Sequence, residues 1–233
     1  MAILHLLPAR LSDDAPAESV VPAATLDCIR SLDAFIVENA KTARAWLAAC
    51  RHPIPMRDIA MSELNEHTPA ADVPKLLDAV AAGRDTGLLS EAGLPAIADP
   101  GAALVAAAHE RGIAVVPHVG PSSILLALMA SGLEGQRFRF VGYLPADASR
   151  RSALVELERQ SARAHETQIF IETPYRNDAM LADLLASCRP TTRIAVAADL
   201  TSPSQWIRSA RVDMWRATPS TIGKRPAIFL LLA

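Results

Sequence analysis

The sequence predicts an α/β protein made of two α/β domains, with a parallel sheet in the N-terminal domain and a mixed sheet in the C-terminal one. Three observations predict it. Short apolar runs alternate with longer amphipathic runs through most of the 233 residues, the pattern of βα units. Several apolar runs end in turns bearing glycine and proline that then open helices. The tail breaks this rhythm: Gln205–Trp215 and Pro226–Leu232 read as strands with no helix between them, which predicts an antiparallel edge.

Taken in order, Ala2–Leu7 is the first strand. Val21–Leu32 has helical spacing, with Pro22 acceptable in the first turn. Ala34–Val37 is a strand, and Thr42–Cys50 a helix that stops before Pro53. Asp72–Ala82 reads as a helix with Gly83 at its end. Thr86–Leu89 is a buried strand leading into the loop Ser90–Pro100. Ala102–Arg111 is an alanine-rich helix ended by Gly112, Ile113–Pro117 a strand, and Pro121–Ser131 a helix ended by Gly132. Arg137–Val141 begins a new unit, and Gly142–Ala148, containing Pro145, reads as a linker. The expected domains are therefore 1–141 and 142–233. In the second, Arg151–Arg163 is a charged helix, Gln168–Ile171 a strand, Asn177–Cys188 a helix and Arg193–Ala198 a strand. The polar, Pro- and Ala-rich stretch Ala9–Pro22 reads as a mobile surface loop.

Composition narrows the function classes. The hydrophobic content of 51% is enough for a large core. A formal net charge of -2 gives no global basic field, so bulk charge does not announce nucleic-acid binding, although a local patch is compatible with it. Arg44, Arg51 and Arg57 are read either as such a patch or as scattered surface charge. Cys28, Cys50 and Cys188 are odd in number and show no CxxC or His/Cys spacing. Reduced buried thiols, with no disulfide and no metal site, are expected. The start lacks a basic n-region, and no stretch approaches the ~20 apolar residues of a membrane helix. A soluble cytoplasmic protein, bound to no membrane, is the expectation.

The densest signal is Ser90-Glu-Ala-Gly-Leu-Pro-Ala-Ile-Ala-Asp-Pro-Gly101. It follows a predicted buried strand and precedes a helix, and open α/β sheets bind ligands off the carboxyl ends of their strands. Gly93 allows close backbone approach, Pro95 and Pro100 stiffen the loop, and Asp99 is placed to cap the next helix. The following strand repeats the arrangement at Val119-Gly-Pro-Ser-Ser123, where Ser122 or Ser123 caps a helix or meets a ligand. Each loop alone is also explained as ordinary βα structure; two on successive strands favour a shared binding site.

Together with Phe138-Arg-Phe-Val-Gly-Tyr-Leu-Pro145, these segments resemble the tetrapyrrole-methylase superfamily of S-adenosylmethionine (SAM)-dependent methyltransferases. Within it they are most similar to the small-subunit ribosomal RNA cytidine 2′-O-ribose methyltransferase group. The similarity continues more weakly through Ile169-Phe-Ile-Glu-Thr-Pro-Tyr-Arg176 and Ala198-Asp-Leu-Thr201. The resemblance implies SAM bound between two α/β domains, in a homodimer. It implies that Ser90, Glu91, Ala92, Gly93, Leu94 and Pro95 wrap the cofactor, Glu91 standing where the family commonly has Asp. Gly120, Pro121, Ser122 and Ser123 would lie beside it. Leu144, Glu172 and Asp199, at strand ends of the second domain, would hold its adenine side.

The resemblance also has gaps. A "TPIGNLxD"-like first loop is replaced by Leu7-Pro-Ala-Arg-Leu-Ser-Asp-Asp-Ala-Pro, with no glycine. An "AEDTR"-like strand end reads Val37-Glu-Asn-Ala-Lys41, keeping a carboxylate at Glu38. A "HxHNE"-like segment reads Met61-Ser-Glu-Leu-Asn-Glu-His67, where Asn65 and Glu66 match and the histidine is displaced. Glu38, Asn65 and Glu66 are thus the candidates for a polar cluster on the acceptor side, against the reading that they are ordinary solvated loop residues. His118 is a further residue that could face the site, and Trp206 and Trp215, nine positions apart, are expected on opposite faces of one strand. Three readings of function follow. The leading one is a SAM-dependent methyltransferase whose acceptor is left open between a structured RNA ribose, such as that of ribosomal RNA, and a small molecule. The others are a protein that binds cofactor or partner on this fold without turnover, and a methyltransferase of tetrapyrrole-like small molecules.

Overall fold

The computed structural model describes residues 2–233; Met1, counted in the expected first domain, lies outside the described residues. The chain divides into two units, Met1–Ser122 and Ser123–Ala233.

The first unit holds β1 (Ile3–Leu7), α1 (Ala17–Val20), α2 (Ala23–Ser31), β2 (Ala34–Val37), α3 (Ala40–Ala49) and β3 (Ala60–Glu63). A 3₁₀ turn, Val73–Leu77, then runs into α4 (Asp78–Ala81), and β4 (Thr86–Leu89), α5 (Gly101–Glu110) and β5 (Ala114–Pro117) complete it. The strands form one parallel sheet in the order β3-β2-β4-β1-β5. Alternation along the strands fills both faces. Leu7, Phe35, Val37 and Leu89 meet Leu26, Ile29, Trp46 and Leu47 of α2 and α3 on one side. Leu4, Ile36 and Leu88 meet Leu77, Val80 and Leu104 on the other. A sheet buried on both faces is what near-continuous apolar strands such as Ala34–Val37 and Thr86–Leu89 demand.

The second unit holds α6 (Ser123–Ser131), β6 (Phe138–Tyr143), α7 (Arg150–Ala164), β7 (Thr167–Ile171), a 3₁₀ turn Pro174–Arg176, and α8 (Asn177–Ser187). It continues through β8 (Arg193–Ala198), β9 (Trp206–Arg211), α9 (Val212–Ala217) and β10 (Ala227–Leu232). Its sheet is mixed, ordered β6-β7-β10-β8-β9. β6 and β7 run parallel, and β10 lies antiparallel to both β7 and β8. All six residues of β10 are buried, and the Phe170 and Phe229 rings stack at 5.7 Å in the core around it.

Four expectations are revised. The boundary falls at Ser122/Ser123, earlier than 141/142, because α6 packs on β8, β9 and β10 and β6 pairs with β7. The stretch Ala9–Pro22 is not a free loop: it contains α1, and Ala9, Ala15, Ala17 and Val21 are buried. The helix expected over Asp72–Ala82 is a 3₁₀ turn followed by one α-turn. The strand expected over Gln205–Trp215 ends at Arg211 and becomes α9. The chain turns there because the amides of Val212 and Asp213 donate to the carbonyls of Thr192 and Pro190. Trp215 is consequently buried beside Val212, donates Nε1–H to the Ile194 carbonyl at 3.0 Å, and meets the Trp206 ring edge-on at 6.2 Å. The two tryptophans are neighbours rather than residents of opposite faces.

Candidate active site

The candidate residues of the first unit gather at the carboxyl end of its parallel sheet. β1, β2 and β4 lie side by side, so the loops that leave them emerge together. The first and fourth strands' loops are bonded to each other: Ala9 N–H donates to the Gly93 carbonyl at 2.8 Å, and Gly93 N–H donates to that of Ala9 at 3.1 Å. Gly93 has φ +76°, a left-handed conformation that glycine adopts without steric cost. The β1 loop is anchored from beneath by Trp46, whose Nε1–H donates to the Pro8 carbonyl at 3.1 Å, while the Arg10 guanidinium sits over the Trp46 ring. The glycine-free first loop therefore does approach its neighbour closely, through Ala9.

The β5 loop joins them. Pro8 packs on Gly120 so tightly that no side chain fits there, and the Pro121 carbonyl lies on the far side of Gly93. Asp99 clamps the rest of the β4 loop. Its carboxylate, one residue ahead of the N-cap position of α5 at Pro100, accepts from Gly101 N–H, the first amide of that helix, at 2.7 Å and from Ala96 N–H at 2.9 Å. That clamp holds Ala96 and Ala98 at φ +65° and +64°, conformations that cost alanine energy and that the surrounding loop must sustain.

Among the acceptor-side candidates, Glu38 is the one drawn into this arrangement. It leaves the end of β2, and its Oε2 accepts from Glu91 N–H at 3.1 Å. With Ser90, Pro95 and Asp99 it lines a pocket floored by Leu64, Leu88 and Leu89. Burial pushes the Glu38 carboxyl above the usual carboxylate range, partly offset by the Glu91 amide, and the negative charges of Glu91, Asp99 and Glu66 push it further. Burial raises Asp99 as well, against the pull of the Gly101 and Ala96 amides. Glu66 thus acts on Glu38 through its field, while its own side chain is exposed near His67. Asn65 is spent on its own turn, accepting from His67 N–H at 3.0 Å. Asn39, which the sequence reading passed over, caps α3 by accepting from Lys41 and Thr42 amides, and so fixes the helix beside Glu38. Of the three arginines read as a basic face, Arg51 pairs with Glu18 and Arg57 with Asp58, which fits scattered surface charge better than a patch.

In the second unit, Leu144, Glu172 and Asp199 follow β6, β7 and β8. Those three strands run in one direction, because β10 is antiparallel to both β7 and β8. The three residues therefore share one edge of that sheet. Leu144 is half-buried against the core. The Glu172 carboxylate is buried and held between Arg176 at 2.7 Å and Arg150 at 3.5 Å. Burial alone would raise it; hydrogen bonds from Arg176 and Thr173 outweigh that and hold it below the usual range. Asp199 adopts φ +51°, pairs with Arg225 and accepts from the Ser204 hydroxyl at 3.0 Å.

A model of the Tetrapyrrole (Corrin/Porphyrin) Methylases matches residues 21–214. The chain belongs to this family. Its sequence is 32% identical over 210 residues to the Ribosomal RNA small subunit methyltransferase I of Vibrio cholerae, covering 88% of this chain and 70% of that protein. It is 34% identical over 184 residues to the protein of the same name from Mesorhizobium japonicum, covering 79% and 60% respectively. A third, from Streptococcus pyogenes, matches at 38% over 146 residues, half of its own length. Among solved structures, the methyltransferase CobJ superposes with a TM-score of 0.63 at 18% identity, over 99% of this chain and 92% of that one. Uroporphyrin-III-C-methyltransferase from Thermus thermophilus superposes with a TM-score of 0.56 at 15% identity. These two similarities establish the fold. The family resemblance carried by the strand-end loops, and the two-domain α/β class, are thereby borne out.

At Gly93 the β4 loop packs its backbone beside the Leu11 side chain and the Pro121 carbonyl. The cavity beside it is small, about 10 Å³, and is lined by the Glu38 and Asp99 carboxylates and by apolar walls from Leu64, Leu88 and Pro95; the Asp99 oxygens already accept from the Ala96 and Gly101 amides. Among the described residues no helix is long and apolar enough to cross a membrane.

Proposed function

We propose that this chain is a SAM-dependent methyltransferase whose acceptor is a ribose hydroxyl of small-subunit ribosomal RNA. The observation that carries the proposal is the bonded pair of loops at Ala9 and Gly93, set beside the raised Glu38 carboxylate at the carboxyl edge of a parallel sheet. The names of the curated relatives support the RNA acceptor.

SAM supplies an already activated methyl group, so the protein's work is alignment. Ala9, Gly93 and the Asp99 clamp hold the loops that would bind it in fixed positions. A ribose hydroxyl is a weak acid, and a carboxylate whose pKa is raised is a better proton acceptor than an ordinary one. Glu38 fits that role. The cofactor contacts read for Ser90–Pro95, Gly120–Ser123, Leu144, Glu172 and Asp199 belong to the same proposal. So does a homodimer, supported by the exposure of Met129 on α6; a monomer mass by light scattering at micromolar concentration would contradict it.

The test is transfer of labelled methyl from SAM to purified small subunits, with calorimetric titration of SAM and S-adenosylhomocysteine alongside. Micromolar SAM binding with methylation of ribosomal RNA, weakening steeply with salt as phosphate contacts require, is expected. Binding without transfer to RNA would move the acceptor to a small molecule. Absence of SAM binding in a folded sample would favour the second reading, a scaffold without turnover, for which the Trp46–Pro8 anchoring of the altered first loop is the motive.

A further inference from the structure

Three residues far apart in sequence meet beside β1. His5 lies within that strand, His118 directly follows β5, and Cys28 lies in α2. β1 and β5 are paired in parallel, Leu6 opposite Pro117, and His118 N–H donates to the Leu6 carbonyl at 3.0 Å. α2 is fixed to the same place by Thr25, whose hydroxyl donates to the Val119 carbonyl at 3.1 Å. The result is a compact triangle: His5 Nδ1 to His118 Nε2 is 3.0 Å, and Cys28 Sγ lies 3.5 Å from each.

We propose that His5, Cys28 and His118 bind one borderline-soft transition-metal ion, zinc, through two imidazole nitrogens and a thiolate. In tetrahedral zinc sites the Zn–N bond is about 2.0–2.1 Å and the Zn–S bond about 2.3 Å. Those lengths put neighbouring nitrogens about 3.3 Å apart and a nitrogen and sulfur about 3.5 Å apart. The two sulfur edges already have that length, and the nitrogen edge needs only a small rotation. The three residues are half-buried, which leaves a fourth position to solvent, the pattern of a zinc with three protein ligands and a water. Ligand type agrees: imidazole with thiolate suits zinc far better than magnesium or calcium.

The surroundings favour occupancy by a cation. Burial lowers the pKa of both histidines. Asp85, whose carboxylate accepts from Ile3 N–H at 2.8 Å, adds negative potential at His5 and Cys28. Burial, and then Asp85, raise the Cys28 thiol as well, so an ion must displace its proton; Cys50 and Cys188 are buried, apart from this triangle, with thiols pushed up to about 12. A bound ion would tie β1, β5 and α2 together, two residues before Gly120, and so brace the β5 loop from behind. Zinc on cysteine needs loss of the thiol proton to solvent, with no redox change.

The experiment uses the full chain, stripped with a chelator and titrated with zinc and, separately, cobalt(II). The expected result is one equivalent per chain and a cobalt spectrum of tetrahedral intensity with a thiolate charge-transfer band. Added zinc should raise the melting temperature of the wild type, by mass action on the folded state. Cys28→Ser and His118→Asn should each lose the thermal shift and lower affinity at least about 10-fold. The wild-type cobalt spectrum stands whether or not either variant folds. Three results would each overturn the proposal: no stoichiometric binding, a cobalt spectrum without the thiolate band, or folded variants with wild-type affinity. The triangle is then a hydrogen-bonded cluster only.

Discussion

Pro8 and Gly120 touch across 112 residues of chain, and a Cβ on Gly120 would lie 2.1 Å from that of Pro8. The contact locks the loop after β1 against the loop after β5. Gly120→Ala should therefore destabilise the first unit by about 1–3 kcal/mol, the usual cost of overpacking. For a chain of this size that is about 2–4 °C per kcal/mol in Tm. Pro8→Gly in the same chain should recover part of the loss, because residues in contact are not additive. Thermal melting of the two single variants and the double variant checks it; strictly additive losses would refute the contact.

Gly93 carries the bridge to Ala9 at φ +76°, with Leu11 and the Pro121 carbonyl 3.3 and 3.4 Å from where a Cβ would stand. Forcing a β-branched residue into that conformation costs about 1–2 kcal/mol. Gly93→Val is expected to remain folded and to lose SAM affinity by about tenfold or more, equivalent to about 1.4 kcal/mol. Calorimetry on the folded variant decides: unchanged affinity removes this loop from the cofactor site.

Glu38 combines a raised pKa with a place in the pocket. In the folded state its proton is held more tightly than in the unfolded state. Its contribution to stability is thus present below the unfolded pKa and lost as pH rises through the folded one. At pH 7 the ionised carboxylate is a liability, made larger by Glu91, Asp99 and Glu66. Glu38→Gln should raise Tm at pH 7, with the gain fading as pH falls through the carboxylate range, while methyl transfer drops. Equal Tm across that range would show that Glu38 carries no such penalty.

Local signals explain what could be read from sequence. Thr86–Leu89 and the following loop were legible because an apolar run, three glycines and two prolines sit within sixteen residues, and Asp99 accepts from the first amide of α5 as its position suggests. What escaped depends on distant partners. The Ala9–Gly93 bridge joins residues 84 positions apart, and the His5–Cys28–His118 triangle forms only once β1 and β5 are known to be neighbours. The place of α6 is set by strands some 70 to 100 residues later. Val212 and Trp215 misled for another reason: a short apolar run fits a strand or one helical turn equally, and only the amides donated to Thr192 and Pro190 choose between them.

The second unit should fail first in acid, through Glu172 and Asp183. Asp183 accepts from Arg150 and Arg151, and those bonds outweigh the effect of burial, so its pKa is lowered as that of Glu172 is. For a lowered carboxyl the contribution to stability is present above the unfolded pKa and lost as pH falls through the folded one. Glu172→Gln removes the charge and keeps the shape, leaving Arg150 and Arg176 with one fewer counter-ion. A loss of about 1.5–3 kcal/mol at pH 7 is expected, the range for hydrogen bonds to charged groups. Wild type and variant should converge only as pH falls through the lowered pKa of the folded Glu172 carboxyl, where both carry a neutral side chain at position 172. Urea melts of the two proteins from pH 7 to pH 3 test this. A gap that persists unchanged at low pH would mean that Glu172 works by packing, not by its charge.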